Sequence, residues 1–188
     1  MRLAAGVLAL LVAAGAASAA ELAGADLPDA VMLGDKLHVL NGLGLREATI
    51  LMVDVYVAGL YVEKKTTDPA AILAPTASKK LIMKFVRNVG KEKLVEAWTD
   101  GFKKNAKDKA AAVAPGLAQL NAAMTDVKKG DEIALRFIPK LGTTVSVKDR
   151  DVVTIDGDDF ASVLFSIWLG PNPPNAGLRE GLLGRNKR

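Results

Sequence analysis

The 188-residue chain carries 25 Lys and Arg against 21 Asp and Glu, a formal net charge of +4, with one histidine and no cysteine. Without cysteine there is no thiol chemistry, no disulfide and no lipoprotein anchor, and a lone histidine excludes a His-rich zinc site. The lysines are interleaved with acids and have few aromatics beside them, whereas a nucleic-acid surface wants basic clusters with stacking side chains; the small positive excess is compatible only with weak contact with an anionic membrane surface.

Residues 1–20, MRLAAGVLALLVAAGAASAA, combine one positive charge at Arg2, a short apolar run and the small-x-small triplet Ala17-Ser18-Ala19. This is the pattern of a secretory signal peptide, cleaved after Ala19 or Ala20, and the apolar run falls short of the roughly 20 residues that cross a bilayer. Residues 21–188 are then one exported, soluble domain. Export without disulfides fits a bacterial periplasm.

Along the mature chain, residues 37–40 read as a short strand ending in a glycine-rich turn at Asn41-Gly42. His38 within it reads as a half-exposed strand residue. Residues 50–62 form a long strand, apolar on both faces and interrupted only by Asp54, so it is expected to be covered on both sides. Residues 79–86 give another strand. From Lys91 a helix follows, with Leu94, Val95, Trp98 and Phe102 at helical spacing. Pro115 is expected to end or restart a helical segment, because it lacks an amide hydrogen and crowds the preceding turn. Leu117, Leu120 and Met124 suggest a second helix. Three short strands at 131–138, 143–147 and 151–155 are spaced as hairpins. Asp158 or Asp159 can cap a further helix whose stripe is Phe160, Val163, Leu164, Ile167 and Trp168, closing at Gly170-Pro171. A last short helix spans about 176–183. Strands, helices, an antiparallel meander and helices in that order predict an α+β domain, an antiparallel sheet with helices packed on one face.

Four stretches carry a family resemblance: NGLGLR followed by VYVAGLYV, then FVRNVGKEKLVEAWTDGF, GDEIALRFIPKLGTTV, and DGDDFASVLFSIWLGPNPP with a trailing LLG. In order and spacing they resemble the bacterial secreted branch of the chalcone-isomerase-like superfamily, over nearly all of the mature chain. The resemblance implies an open-faced sandwich with a ligand cleft between sheet and helices.

It also implies two kinds of function. Plant chalcone isomerases hold a developing negative charge with an arginine and bind substrate through a tyrosine and an asparagine on the helix after the third strand. Arg46 matches the arginine, but Gly90 and Ala97 stand where those partners would be, and no tyrosine follows Tyr61. The fatty-acid-binding members keep the arginine and place a tyrosine in the following long strand, the pair gripping a carboxylate while the acyl tail lies in an apolar cavity. Tyr56 matches that tyrosine. A guanidinium offers paired donors suited to a carboxylate, and a phenol adds a third.

On residue types alone, Arg46 is an anion receptor or a strand-end charge, and Tyr56 is its partner or a core strand residue. The receptor reading carries a geometric condition. On one straight strand the two would stand about 33 Å apart at roughly 3.3 Å per residue, so the chain must reverse around Glu47 to Thr49, and Glu47 must not neutralise Arg46. The reading expected from sequence is a periplasmic protein that binds a fatty acid or similar amphipathic carboxylate without transforming it. Arg46 and Tyr56 hold the head group, and Met52, Phe85, Trp98 and Phe102 line the tail. No catalytic residue, metal or cofactor is assigned. The alternatives are an isomerase or intramolecular lyase acting on an enone, and a structural or partner-binding module. Nothing in the sequence sets an oligomeric state.

Overall fold

The structure, a computed structural model, describes residues 19–48 and 53–185. Its centre is a seven-stranded antiparallel sheet in which every strand pairs with its neighbour in sequence: β3 (Ala30–Leu33), β4 (Lys36–Ala48), β5 (Val53–Val62), β6 (Lys79–Phe85), β7 (Glu132–Ile138), β8 (Gly142–Val147) and β9 (Arg150–Ile155). A separate hairpin, β1 (Ala19–Leu22) and β2 (Ala25–Pro28), precedes it. The helices are α1 (Pro69–Leu73), α2 (Lys91–Asn105), α3 (Ala110–Ala123), α4 (Asp158–Leu169) and α5 (Ala176–Leu182). Among the described residues no helix is long and apolar enough to cross a membrane.

Strand periodicity sorts the core. Ala58, Leu60 and Val62 of β5, Leu81, Met83 and Phe85 of β6, and Ile133, Leu135 and Phe137 of β7 face the helices and meet Leu94, Trp98 and Phe102 of α2 and the apolar stripe of α4. The alternate residues Val57, Tyr61 and Ile82 face the other way and are covered by Ala25 and Leu27 of β2. The expectation that the long apolar strand is covered on both sides is met by helices on one face and the β1–β2 hairpin on the other.

The glycines of the 41–46 stretch have a different reason from the one expected. There is no turn at Asn41-Gly42: β4 runs through it to Ala48, with a register irregularity between Leu40 and Gly42. A side chain at Gly42 would collide with the carbonyl oxygen of Gly181, and one at Gly44 with that of Leu178. The glycines therefore let α5 lie directly on the backbone of β4, and Asn41 fastens the contact by donating to the Leu182 carbonyl at 2.8 Å.

Other local expectations change for equally local reasons. His38 is fully buried, not half-exposed: Nε2 lies 2.8 Å from Ser78 Oγ, which donates to Glu63 at 2.6 Å. The Ser78 hydrogen bond, together with Lys36, holds the Glu63 carboxyl below its usual range. The covering segment comes from forty residues downstream, beyond the reach of a local pattern. Pro115 lies inside α3 and does not end it. The break falls at a 3-10 turn over Lys107–Lys109, where Lys107 has φ +50°. Gly157, not an aspartate, is the N-cap of α4, with φ +102°. Asp158 and Asp159 occupy the first turn, where the helix dipole favours their charge, and Asp159 accepts from Lys109 at 2.8 Å.

Replacing Gly44 with Ala is expected to lower the unfolding free energy by about 1–3 kcal/mol through overpacking. Gly177→Ala, where a side chain meets nothing closer than 3.8 Å, is expected to be neutral or stabilising. Equal urea midpoints for the two variants would contradict the close-approach account.

Candidate functional site

A long strand that turns back on itself brings distant residues face to face. β4 and β5 pair antiparallel with Arg46 directly opposite Tyr56 and a register shift immediately after, between Arg46 and Glu47. Opposed residues in such a ladder have Cα atoms only about 4.5–5.5 Å apart and side chains on one face, and a bulge at this point bends the strand and re-aims its side chains. The geometric condition is met by strand pairing. Glu47 and Ala48, part of the expected reversal, still pair with Asp54 and Val53, and Thr49 belongs to residues 49–52, outside the described ones. Met52, expected in the tail lining, likewise lies outside the described residues.

Both side chains line a cleft of about 560 Å³ between the sheet and the helices. Val55, Met83 and Phe85 form the sheet wall, Leu94, Ala97, Trp98 and Gly101 the α2 wall, Ile167 and Trp168 the end of α4, and Asn172, Pro173 and Pro174 a closing loop. Arg87, Lys93, Glu96, Asp100 and Lys104 add a charged rim. Lys93 and Glu96 pair with each other at 2.6 Å.

The closing loop is tied down on two sides. Asn172 donates to the Lys104 carbonyl at 3.1 Å, and Asn175 to the Leu45 carbonyl at 3.1 Å, one residue before Arg46. The β4 backbone beside the arginine is thus held by this asparagine as well as by α5.

Within the cleft, the Arg46 guanidinium donates from Nη1 to the carbonyl of Glu47, and among the described residues Arg46 forms no ion pair. Glu47 therefore engages the arginine through its backbone. The Tyr56 ring meets Phe85, its cross-strand partner, edge-on at 5.6 Å. Its hydroxyl accepts a hydrogen bond from Trp168 Nε1 at 2.9 Å, and Trp168 packs edge-on against Trp98 at 5.7 Å. Burial pushes the Tyr56 phenol up to about 12, against the opposing pull of the Trp168 N–H and the Arg46 charge. At neutral pH the pair is a cation beside an intact O–H, a donor set with no competing carboxylate within it.

Four of the six residues expected at the site, Arg46, Tyr56, Phe85 and Trp98, line the cleft. Phe102 does not. It is packed in the core against Phe160, with ring centroids 5.5 Å apart, one helical turn beyond Trp98. Gly90 and Ala97, the positions read as lacking the isomerase side chains, both line the cleft, so its α2 wall has neither a phenol nor an amide there. Sequence reasoning did not assign the closing loop or Arg87 to the site. The Asn-Pro-Pro-Asn run signalled a stiff turn, but not which surface it closes. Among the described residues no group of three or more His, Asp or Glu could hold a metal ion.

An α+β domain whose curled antiparallel sheet and helices enclose a cleft of this kind is a chalcone-isomerase-like fold. The chain belongs to the chalcone isomerase-like family, whose model matches residues 19–184. The crystal structure of a fatty-acid binding protein from Arabidopsis thaliana is similar to it, with a TM-score of 0.74 and 15% sequence identity, over 88% of this chain and 96% of that one. At that identity the likeness is one of fold. No curated protein matches the chain in sequence.

The chain has only two tyrosines, and burial raises Tyr61 as well as Tyr56. A spectroscopic pH titration of the folded protein is expected to give no phenolate transition centred near pH 10, with that of Tyr56 centred at about 12. Because the folded-state value lies above the unfolded one, the contribution of Tyr56 to stability is complete below about pH 10 and is lost as pH rises toward 12. A tyrosine titrating near pH 10 before unfolding would contradict the placement.

Proposed function

We propose that this protein binds a fatty acid or closely similar amphipathic carboxylate in the cleft and leaves it chemically unchanged. The observation that carries this reading is the direct opposition of Arg46 and Tyr56 in a cleft also lined by Val55, Met83, Phe85, Leu94, Trp98 and Ile167. A guanidinium and a phenol converging from neighbouring strands supply three donors to a carboxylate.

Size supports the same ligand class. An apolar cavity of about 150 Å³ accommodates a benzene molecule, so about 560 Å³ corresponds to roughly 22 carbon-sized atoms. That suits a medium to long acyl chain. Burying about eleven methylenes at roughly 0.8 kcal/mol each supplies about 9 kcal/mol before ordering costs are subtracted. The structurally similar fatty-acid binding protein adds support at the level of the fold.

Against an isomerase or intramolecular lyase, the two cleft positions that match the isomerase tyrosine and asparagine, Gly90 and Ala97, carry neither group, and the lone histidine lies in the separate Ser78–Glu63 network. Arg46 alone could stabilise an oxyanion, but the phenol and amide that bind substrate in the plant isomerases have no counterpart at Gly90 and Ala97. A binding module without a small ligand would leave the cleft without a purpose.

The proposal extends to location. Residues 1–20 direct export to the periplasm and are removed after Ala19 or Ala20. β1 begins at Ala19, so such cleavage leaves the fold whole except for at most the first two residues of a peripheral hairpin.

Native mass spectrometry of protein recovered from a periplasmic extract tests both parts. The expected result is a mature mass starting at Ala20 or Glu21, carrying a fatty-acid adduct that is lost in Arg46→Ala. In titrations the same substitution is expected to weaken dodecanoate binding by roughly 10- to 100-fold, the range for a hydrogen bond to a charged group. An unprocessed chain would overturn export, and equal affinity in both proteins would overturn the receptor role of Arg46.

A further inference from the structure

A phenol in a binding site can give a hydrogen bond or take one, whereas an indole N–H can only give. The 2.9 Å contact between Trp168 Nε1 and the Tyr56 hydroxyl therefore has one direction: Trp168 donates and Tyr56 accepts. Trp168 is itself 2% exposed and braced edge-on by Trp98, so its ring is not free to swing away. With its acceptor side engaged by the indole, the Tyr56 hydroxyl is left with its proton to give. Accepting a bond also polarises the O–H and makes it a better donor. Arg46, directly across the strand pair, has no acceptor atom at all in its side chain.

We propose that Trp168 is a positioning residue that makes Tyr56 a one-way donor, and that this is how the cleft selects anionic head groups over neutral ones of the same tail length. The inference rests on the carboxylate-binding reading above and adds its specificity. A carboxylate brings only acceptors and uses both donors. An alcohol must also place its own proton: Arg46 cannot take it, the Tyr56 oxygen already accepts from Trp168, and the Glu47 carbonyl already accepts from Arg46. A hydroxyl buried there leaves a donor unpaired, the situation in which hydrogen-bonding sites discriminate most strongly. Removing the indole N–H restores the acceptor side of Tyr56 and with it a partner for an alcohol.

The test compares dodecanoate with 1-dodecanol. Wild type is expected to prefer dodecanoate by more than about 100-fold, and Trp168→Phe, checked for folding by its thermal transition, to reduce that preference by about tenfold. A structural contribution alone would weaken both ligands alike and leave the ratio unchanged. The chain has only two tryptophans, so its two indole N–H resonances give a readout that does not depend on Trp168→Phe folding. In ¹⁵N-labelled wild type, dodecanoate is expected to move the Trp168 resonance downfield as Tyr56 becomes a donor to the ligand, and Tyr56→Phe to move it upfield and abolish that response. A ratio unchanged in folded Trp168→Phe, or a Trp168 resonance indifferent to both dodecanoate and Tyr56→Phe, overturns the proposal while leaving carboxylate binding intact. A wild type that binds neither compound removes the carboxylate reading itself.

Discussion

The cleft depends on the register in which β4 and β5 pair. With Arg46 opposite Tyr56, a cation and a phenol separated by ten positions in sequence share one face of the sheet. Side chains in a strand alternate with a period of two, so slipping this pairing by one residue would turn one of the partners to the opposite face. The register is secured from several directions. β5 has apolar contacts on both faces, β6 pairs along its length from Tyr56 to Val62, and α5 is seated on glycines of β4 that admit no other residue without displacement. Asn175 then fixes the Leu45 carbonyl next to the arginine. Elements outside the cleft thus determine where its charge is held.

A guanidinium facing an apolar wall is held away from part of its hydration, and among the described residues its partner is a backbone carbonyl, that of Glu47, in place of a carboxylate. Such an arrangement favours a ligand that brings the counter-charge. The surrounding aromatics have a related role. Two edge-to-face pairs, Phe85 with Tyr56 and Trp168 with Trp98, are joined by the Trp168–Tyr56 hydrogen bond, linking β6 and β5 to α4 and α2. The apolar wall and the Arg46–Tyr56 pair are therefore one packed unit; in the proposed binding mode this fixes the head-group donors, and the tail contributes through burial alone.

Much of the fold was legible because its signals are local. The 3.6-residue stripes of α2 and α4, the spacing of the last three strands and the two-sided apolar run of β5 each follow from short-range periodicity. What was misread depended on residues far away in sequence. Asn41-Gly42 has the composition of a turn, yet its glycines answer to α5, some 140 positions later. His38 looked half-exposed because its partner Ser78 and the segment that covers it arrive only after β5. Arg46 and Tyr56 were identifiable from residue type and family resemblance, but their convergence could be stated only as a condition, since Glu47-Ala48-Thr49 is not a strong turn sequence. Phe102 shares a helical stripe with Trp98, and one turn of α2 separates cleft wall from interior core, a distinction that periodicity does not make.

The central claim is that a carboxylate is held ionised against Arg46. The most direct measurement is a ¹³C NMR titration of carboxyl-labelled dodecanoate bound to the protein. An adjacent guanidinium stabilises the charged form and lowers a carboxyl pKa by about 1–3 units, so the bound carboxyl is predicted to stay ionised to a pH well below that at which the free acid titrates. A bound carboxyl that titrates at or above the free value would place the head group in apolar surroundings away from Arg46 and contradict the account.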